Sequence, residues 1–297
     1  MAQESVSPSA EYLRSIACMR KFVEGEGGWL FLIGDTNDQM AQQFGFKVWT
    51  DQDASHANKI IDDRILQLPR YNKFVVPQKS VAYREYLPKP INTWQDSNQR
   101  PALRLGKAYY LLEAIQAAKP LGHLYFRGDT HPNWLGSYVL YREICSKLEI
   151  TPLRLHDFNH TLAGYDGDLF GHHMTDEERK DFLNRIDHPP FTLDVTDRIS
   201  LSSPEAKHIG DEGYSAFSRE TLVFEHIDKR LPKAVVFRDS TCQFMTDWLA
   251  EHFSRTVFVW HLGDVLQKVI EREQPDIVIQ IMAERFVWTY PSRAAIV

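Results

Sequence analysis

The chain is short of cysteine. Its three thiols, Cys18, Cys145 and Cys242, lie far apart in 297 residues. An odd number without metal-type spacing implies neither a disulfide framework nor a zinc knuckle, and free cysteines of this kind are usually small buried residues. Long apolar runs are missing as well. None approaches the roughly 20 residues that a helix needs to cross a bilayer. The opening stretch, MAQESVSPSAEYLRS, has no apolar h-region of a secretory signal. As written, the chain is expected in the cytoplasm; a processed form would belong in the periplasm. Positive charge is in deficit too, with 34 Lys+Arg against 40 Asp+Glu. A general nucleic-acid binder would carry a basic stripe, so nucleic acid is not expected as a partner. Repeats and low-complexity tracts are absent.

What is present is an ordinary globular pattern of strands alternating with helices. Trp29–Ile33, Lys73–Pro77, His123–Phe126, Ala234–Phe237, Thr256–Trp260 and Ile277–Ile281 read as buried strands. Helical spacing runs through Glu11–Val23, Ala54–Leu68, Ala102–Ala118, Leu135–Leu148, Phe244–Phe253 and Val265–Glu273. Asn133 is placed to cap the fourth of these, and Thr175–Glu178 reads as a capping box. Between residues 151 and 230 the pattern weakens, as in a lid or insertion, with strands expected at Phe191–Ser200 and Glu220–Phe224. The alternation predicts an α/β fold: a mostly parallel central sheet flanked by helices, within one domain over residues 1–297.

Two segments carry chemistry, and both follow expected strands, where open α/β sheets place their sites. One is AVVFRDSTCQF, in which a sharp turn after a strand would lift the Ser240 hydroxyl out of the sheet edge. The other is FRGDTHPN, with Asp129 and His131 two residues apart. Serine, histidine and aspartate are the parts of a nucleophilic acyl-transfer site. Each segment has a plainer reading. Asp-Thr-His serves equally as a surface turn before a helix, and Asp-Ser as a helix cap. Arg285 at a strand end suits an anionic substrate or an oxyanion, and equally a salt bridge to Glu284 or Asp239. The histidine pairs His156/His160 and His172/His173 invite a metal, but Pro152 and the loop around Asn159 speak against the helix that four-residue chelation requires. The Gly34–Asn37 turn most simply ends a strand. Five tryptophans, Trp29, Trp134, Trp248, Trp260 and Trp288, read mostly as core, with room for one exposed ring to stack on a sugar.

Six blocks together resemble the alginate O-acetyltransferase family with its SGNH-hydrolase-like domain. They are GWLFLIGDTND, VVPQKSVAYREYLP, FRGDTHPNWLGSYVLYREI, GYDGDLFGHHM, VVFRDSTCQFMTDWLAEHFSRTVFVW and IVIQIMAERFVW. They occur in the family's order across about residues 28–288. The resemblance implies an SGNH-like fold with Ser240 as nucleophile, His131 as general base and Asp129 as its orienter. It also implies that Arg285 lies near the site as a substrate-binding residue, and that Asn133 supports the histidine loop or contacts substrate. Two departures stand out. The serine turn reads Arg-Asp-Ser-Thr where many relatives have Asp-Ser-Phe, and no secretion signal or anchor is visible.

The expected activity is transfer of an acetyl group from a donor to a polysaccharide or other glycan through an acyl-enzyme. Such chemistry requires no metal and no cofactor. A glycan acceptor, an acetyl donor and a membrane acyl-transfer partner are the implied partners. The alternatives are an SGNH-type carbohydrate esterase or deacetylase, with water as acceptor, and an inactive carbohydrate-binding assembly protein.

Overall fold

A computed structural model describes residues 8–162, 167–185, 199–202, 204–214 and 218–290. Its centre is a seven-stranded sheet. In chain order the strands are β1 (Asn72–Val76), β2 (Tyr109–Tyr110), β3 (Lys207–Gly210), β4 (Thr221–Glu225), β5 (Lys233–Arg238), β6 (Arg255–Trp260) and β7 (Ile277–Ala283). Their spatial order is β2-β1-β7-β5-β6-β4-β3. The first five in that order run parallel, and β4 and β3 add an antiparallel edge. Parallel strands covered on both faces read as continuous apolar runs. All seven residues of β7 are buried accordingly.

Alternate residues of these strands enter two cores. Ala234 and Val236 of β5 join Ile277, Ile279 and Ile281 of β7 on one face. Val235 and Phe237 join Val278 and Met282 on the other. Helix α1 (Asp51–Gln67) covers the second face with Ala54, Ala57 and Ile61. It starts at a capping box between Thr50 and Asp53 and ends before Pro69, which cannot continue a helix. Helices α2 (Leu112–Ala118) and α3 (Trp134–Lys147) cover the first face through Ile115, Leu140, Tyr141 and Ile144. Thr175 and Glu178 form the expected capping box.

Several elements differ from expectation. Ala102–Ala118 is not one helix: a 3-10 turn at Pro101–Arg104, β2 and α2 share it. The Gly106 N–H is taken by Asn58 Oδ1 at 2.7 Å, and Tyr109 stacks on Phe74 at 5.3 Å, so the segment bends into the sheet edge. His123–Phe126 is no strand; one bridge joins Tyr125 to Pro132. Phe244–Phe253 contributes only the helix Thr246–Ala250, because the preceding Ser240–Met245 winds as a 3-10 helix. Glu11–Val23 divides into the helix Pro8–Met19 and the strand Phe22–Glu24. Within 151–230, β3 and β4 belong to the central sheet. Of the strand expected at Phe191–Ser200, residues 191–198 lie outside the described residues, and Ile199–Ser202 is a strand. Among the described residues no helix is long and apolar enough to cross a membrane.

Candidate active site

The histidine segment is a tight local loop. Phe126 N–H donates to His131 O at 3.3 Å, and Asn133 N–H to Leu124 O at 3.0 Å. This turn brings Asp129 and His131 together. Asp129 Oδ1 accepts the His131 backbone N–H at 2.6 Å and lies 2.5 Å from His131 Nδ1. Asp129 is fully buried and His131 is 6% exposed.

Burial would raise the Asp129 carboxyl, but the His131 charge and hydrogen bonds from His131 and Asp168 hold it well below its ordinary value. Burial would lower His131; the Asp129 charge and hydrogen bond outweigh it, Asp168 adds to them, Arg285 opposes, and the net shift is upward. An ionised Asp129 fixes the imidazole with its proton on Nδ1. Nε2 is then the free lone pair, and it is buried without a hydrogen-bond partner among the described residues. A buried imidazole nitrogen left open in this way has the form of a general base awaiting a proton.

Other residues frame this loop. The buried Lys79 ammonium donates to Phe126 O (3.0 Å), Arg127 O (2.9 Å) and Asp129 O (2.5 Å). Asp168 opens the helix α4 (Asp168–His173) and accepts Thr130 N–H at 2.8 Å and Thr130 Oγ1–H at 2.6 Å. Asn133 is fully buried, caps α3 by accepting the Gly136 N–H at 2.9 Å, and donates to His123 O at 2.7 Å. Its carboxamide is therefore committed to supporting the loop. Gly136 permits the approach, since a Cβ there would lie 1.9 Å from Leu124 O.

Ser240 follows the central strand β5 and is half-buried at the first position of its 3-10 helix. There its N–H has no intrahelical acceptor. No hydrogen bond joins Ser240 to His131 in this structure. The two segments touch through aromatic rings. Phe244, four residues on, packs edge-on against Trp134 (4.2 Å between centroids) and Phe126 (5.6 Å), residues that flank His131.

Arg285 arrives from the end of β7. It is 8% exposed and donates to Gln78 Oε1 at 3.3 Å. Among the described residues it forms no ion pair with Glu284 or Asp239. Glu284 instead pairs with Arg100 at 3.3 Å and accepts the Gln78 N–H and the Tyr110 hydroxyl. Arg285 thus presents a cation without a carboxylate partner among the described residues, close enough to His131 to oppose its protonation.

Asp129, His131 and Asp168 have ligand atoms within 4.8 Å of one another, a spacing that invites a metal. The 2.5 Å between Nδ1 and Asp129 Oδ1 is that of a direct hydrogen bond. Two ligands on one tetrahedral ion, each about 2.0–2.1 Å from it, lie roughly 3.3 Å apart. His156 is exposed beside Asp157, and the side chains of His160 and His172 lie outside the described residues. A groove of about 960 Å³ between α2, α3 and residues 149–155 is lined by none of Ser240, His131, Asp129 and Arg285.

Sequence reading assigned no role to Lys79, Asp168 or Thr130. Lys79 and Asp168 stand inside the VVPQKS and GYDGDLFGHHM blocks, and that was the available signal.

No protein-family model matches the chain, and no curated protein matches it. Solved structures do. A DHHW family protein from Eubacterium siraeum aligns over 93% of this chain and 99% of its own, at 15% identity and TM-score 0.62. PatB1 from Bacillus cereus, with a sulfonyl adduct, aligns over 91% and 97%, at 14% and 0.60. The O-acetyltransferase domain of AlgJ from Pseudomonas putida aligns over 92% and 94%, at 18% and 0.54. At these identities the fold is what is shared: the expected α/β architecture, a mostly parallel sheet between helices, is the one found.

Proposed function

We propose that this chain is an O-acetyltransferase acting on a polysaccharide or other glycan through Ser240, His131 and Asp129. The observation that carries the reading is the buried Asp129–His131 pair, with Nε2 unpartnered among the described residues. The likeness to the O-acetyltransferase domain of AlgJ supports the transferase class.

In the first half-reaction, Nε2 takes the Ser240 proton while Oγ attacks the acetyl carbonyl of the donor. Collapse of the tetrahedral intermediate expels the donor's alcohol or thiol, which receives that proton, and leaves acetyl-Ser240. In the second, Nε2 takes a proton from an acceptor hydroxyl, whose oxygen attacks the ester. Collapse forms the acetylated sugar and returns the proton to Ser240. Asp129 stabilises the imidazolium in both halves, and a base so placed contributes on the order of 10²–10⁴ in rate. The Ser240 N–H and the Arg285 cation would hold the oxyanion; one such donor is worth roughly 2.7–4 kcal/mol of barrier. An esterase differs only in using water as the acceptor.

A second reading, a glycan-binding protein without turnover, is favoured by the lack of a hydrogen bond between Ser240 and His131. Intact mass after incubation with an activated acetyl ester separates the two. The proposal expects one added acetyl on wild type and none on Ser240→Ala. A folded wild type that takes no acetyl points to the binding protein.

A further inference from the structure

Residues 167–170 follow a stretch whose sequence pattern is weak, yet they grip the histidine loop at several points. Asp168 holds Thr130 with both carboxylate oxygens. Its own N–H donates to Asp129 Oδ2 at 2.5 Å. Leu169 and Phe170 both donate to Gly128 O, at 3.0 and 2.9 Å. Gly167, at φ 80°, allows this approach: a Cβ there would stand 2.5 Å from Gly128 O.

The two oxygens of Asp129 are therefore divided. Oδ1 faces the imidazole and Oδ2 faces Asp168. An aspartate held by one oxygen alone is free to rotate about χ2, and the N–H on the other oxygen removes that freedom. Asp168 Oδ2 also lies 3.9 Å from His131 Nδ1.

Resting on the acyl-transfer reading of this site, we propose that Asp168 is its positioning residue, fixing the plane of the Asp129 carboxylate and adding a second negative charge behind His131. The charged groups that act on the imidazole are Asp129 and Asp168, which favour its protonation, and Arg285, which opposes it. The Lys79 ammonium sits behind Asp129, on its carbonyl. Asparagine at 168 keeps the shape, the backbone N–H on Asp129 and one of the two acceptors for Thr130 while removing the charge.

The test is an NMR titration of His131 in the full chain, with its signal assigned by loss in His131→Ala. It is paired with kcat and KM for an activated acetyl ester. In Asp168→Asn the His131 midpoint should fall, and kcat should drop on the order of 10- to 100-fold with KM kept. A folded Asp168→Asn with the wild-type midpoint overturns the proposal, whether or not the protein turns over ester. If Asp168→Asn does not fold, Thr130→Val decides through the exchange rate of the His131 Nδ1 proton. Exchange several-fold faster supports the proposal; an unchanged rate overturns it. Failure of the acyl-transfer reading shows separately, as an unlabelled Ser240.

Discussion

The Asp239 carboxylate and the Ala283 N–H are hydrogen-bonded at 2.6 Å, tying the residue before Ser240 to the end of the neighbouring strand. Its other oxygen accepts Thr241 N–H at 2.8 Å and Thr241 Oγ1–H at 2.5 Å. Asp239 is fully buried. It thus fixes the serine turn from inside the sheet and fixes Arg285, two residues past Ala283, relative to that turn.

Asp239→Ala removes the acceptor for two backbone N–H groups and one hydroxyl. Each buried orphan costs about 1–3 kcal/mol, a large share of the about 5–15 kcal/mol that stabilises a domain. Urea unfolding should show a sharply lower midpoint. Asp239→Asn, which keeps one acceptor, should fold with a smaller loss and label more slowly at Ser240. A wild-type midpoint for the alanine variant would remove this role.

The raised His131 sets the pH dependence. The base must be neutral to act, so labelling of Ser240 should rise with pH through a midpoint above the ordinary histidine value of about 6.5. In Asp129→Asn burial prevails, so the midpoint should fall below that value. The rate should drop as well, by about 10⁴ if the site behaves like other Ser-His-Asp triads. Stability follows the same pair. The His131 contribution is present below about pH 6.5 and is lost as pH rises through its raised folded value. The Asp129 contribution is present above about pH 4 and is lost as acid reaches its depressed value. The pair should therefore support the fold best between about pH 4 and 6.5. An acid limb that ignores the asparagine substitution would contradict this account.

Lys79 binds three carbonyls of the histidine loop and places its ammonium 5.7 Å from the Trp29 ring centroid. Lys79→Met keeps the stem and removes the donors. A loop displaced by about 1 Å costs on the order of 100-fold in rate, so labelling should slow to that extent with the fold retained by circular dichroism. Lys79→Arg should recover only part, because a planar fork does not reproduce three converging bonds. Equal rates for wild type and Lys79→Met would exclude the role.

Lys73 is a buried lysine that the proposed mechanism does not use. Burial, then the Arg64 charge, push it well below its ordinary value, while Asp239 opposes. Its amine donates to Gln280 Oε1 at 3.1 Å and lies 3.9 Å from the Tyr290 ring centroid. A lysine lowered by folding releases its proton on folding, so this term rises with pH until about 10.4, where the unfolded chain also loses it. Lys73→Met should raise stability at pH 7 on the order of 1 kcal/mol and flatten the rise toward pH 10. Gln280 Oε1 stays satisfied by Tyr71 at 2.7 Å. A methionine variant less stable at pH 7 would refute this.

The sequence by itself determined what neighbours along the chain decide. Apolar runs such as AVVF and IVIQI had to be strands covered on both faces. Asn133 and Thr175 had to cap, because a side chain reaches backbone two or three residues on whatever the rest of the fold does. The Asp129–His131 bond stayed open at that level, since it closes only where the chain turns, and Lys79 and Asp168 reach that turn from elsewhere in the chain.

Tertiary structure alone decided the rest. Ala102–Ala118 has helical spacing, but the edge of β1 and Asn58 capture it, and packing outweighs so weak a propensity. Asp168 lies 38 residues beyond Thr130, and Arg285 lies 207 beyond Gln78. No periodicity encodes such contacts. They exist because the sheet order sets β7 between β1 and β5, which brings the loops after three strands to one edge, where chain separation no longer measures distance.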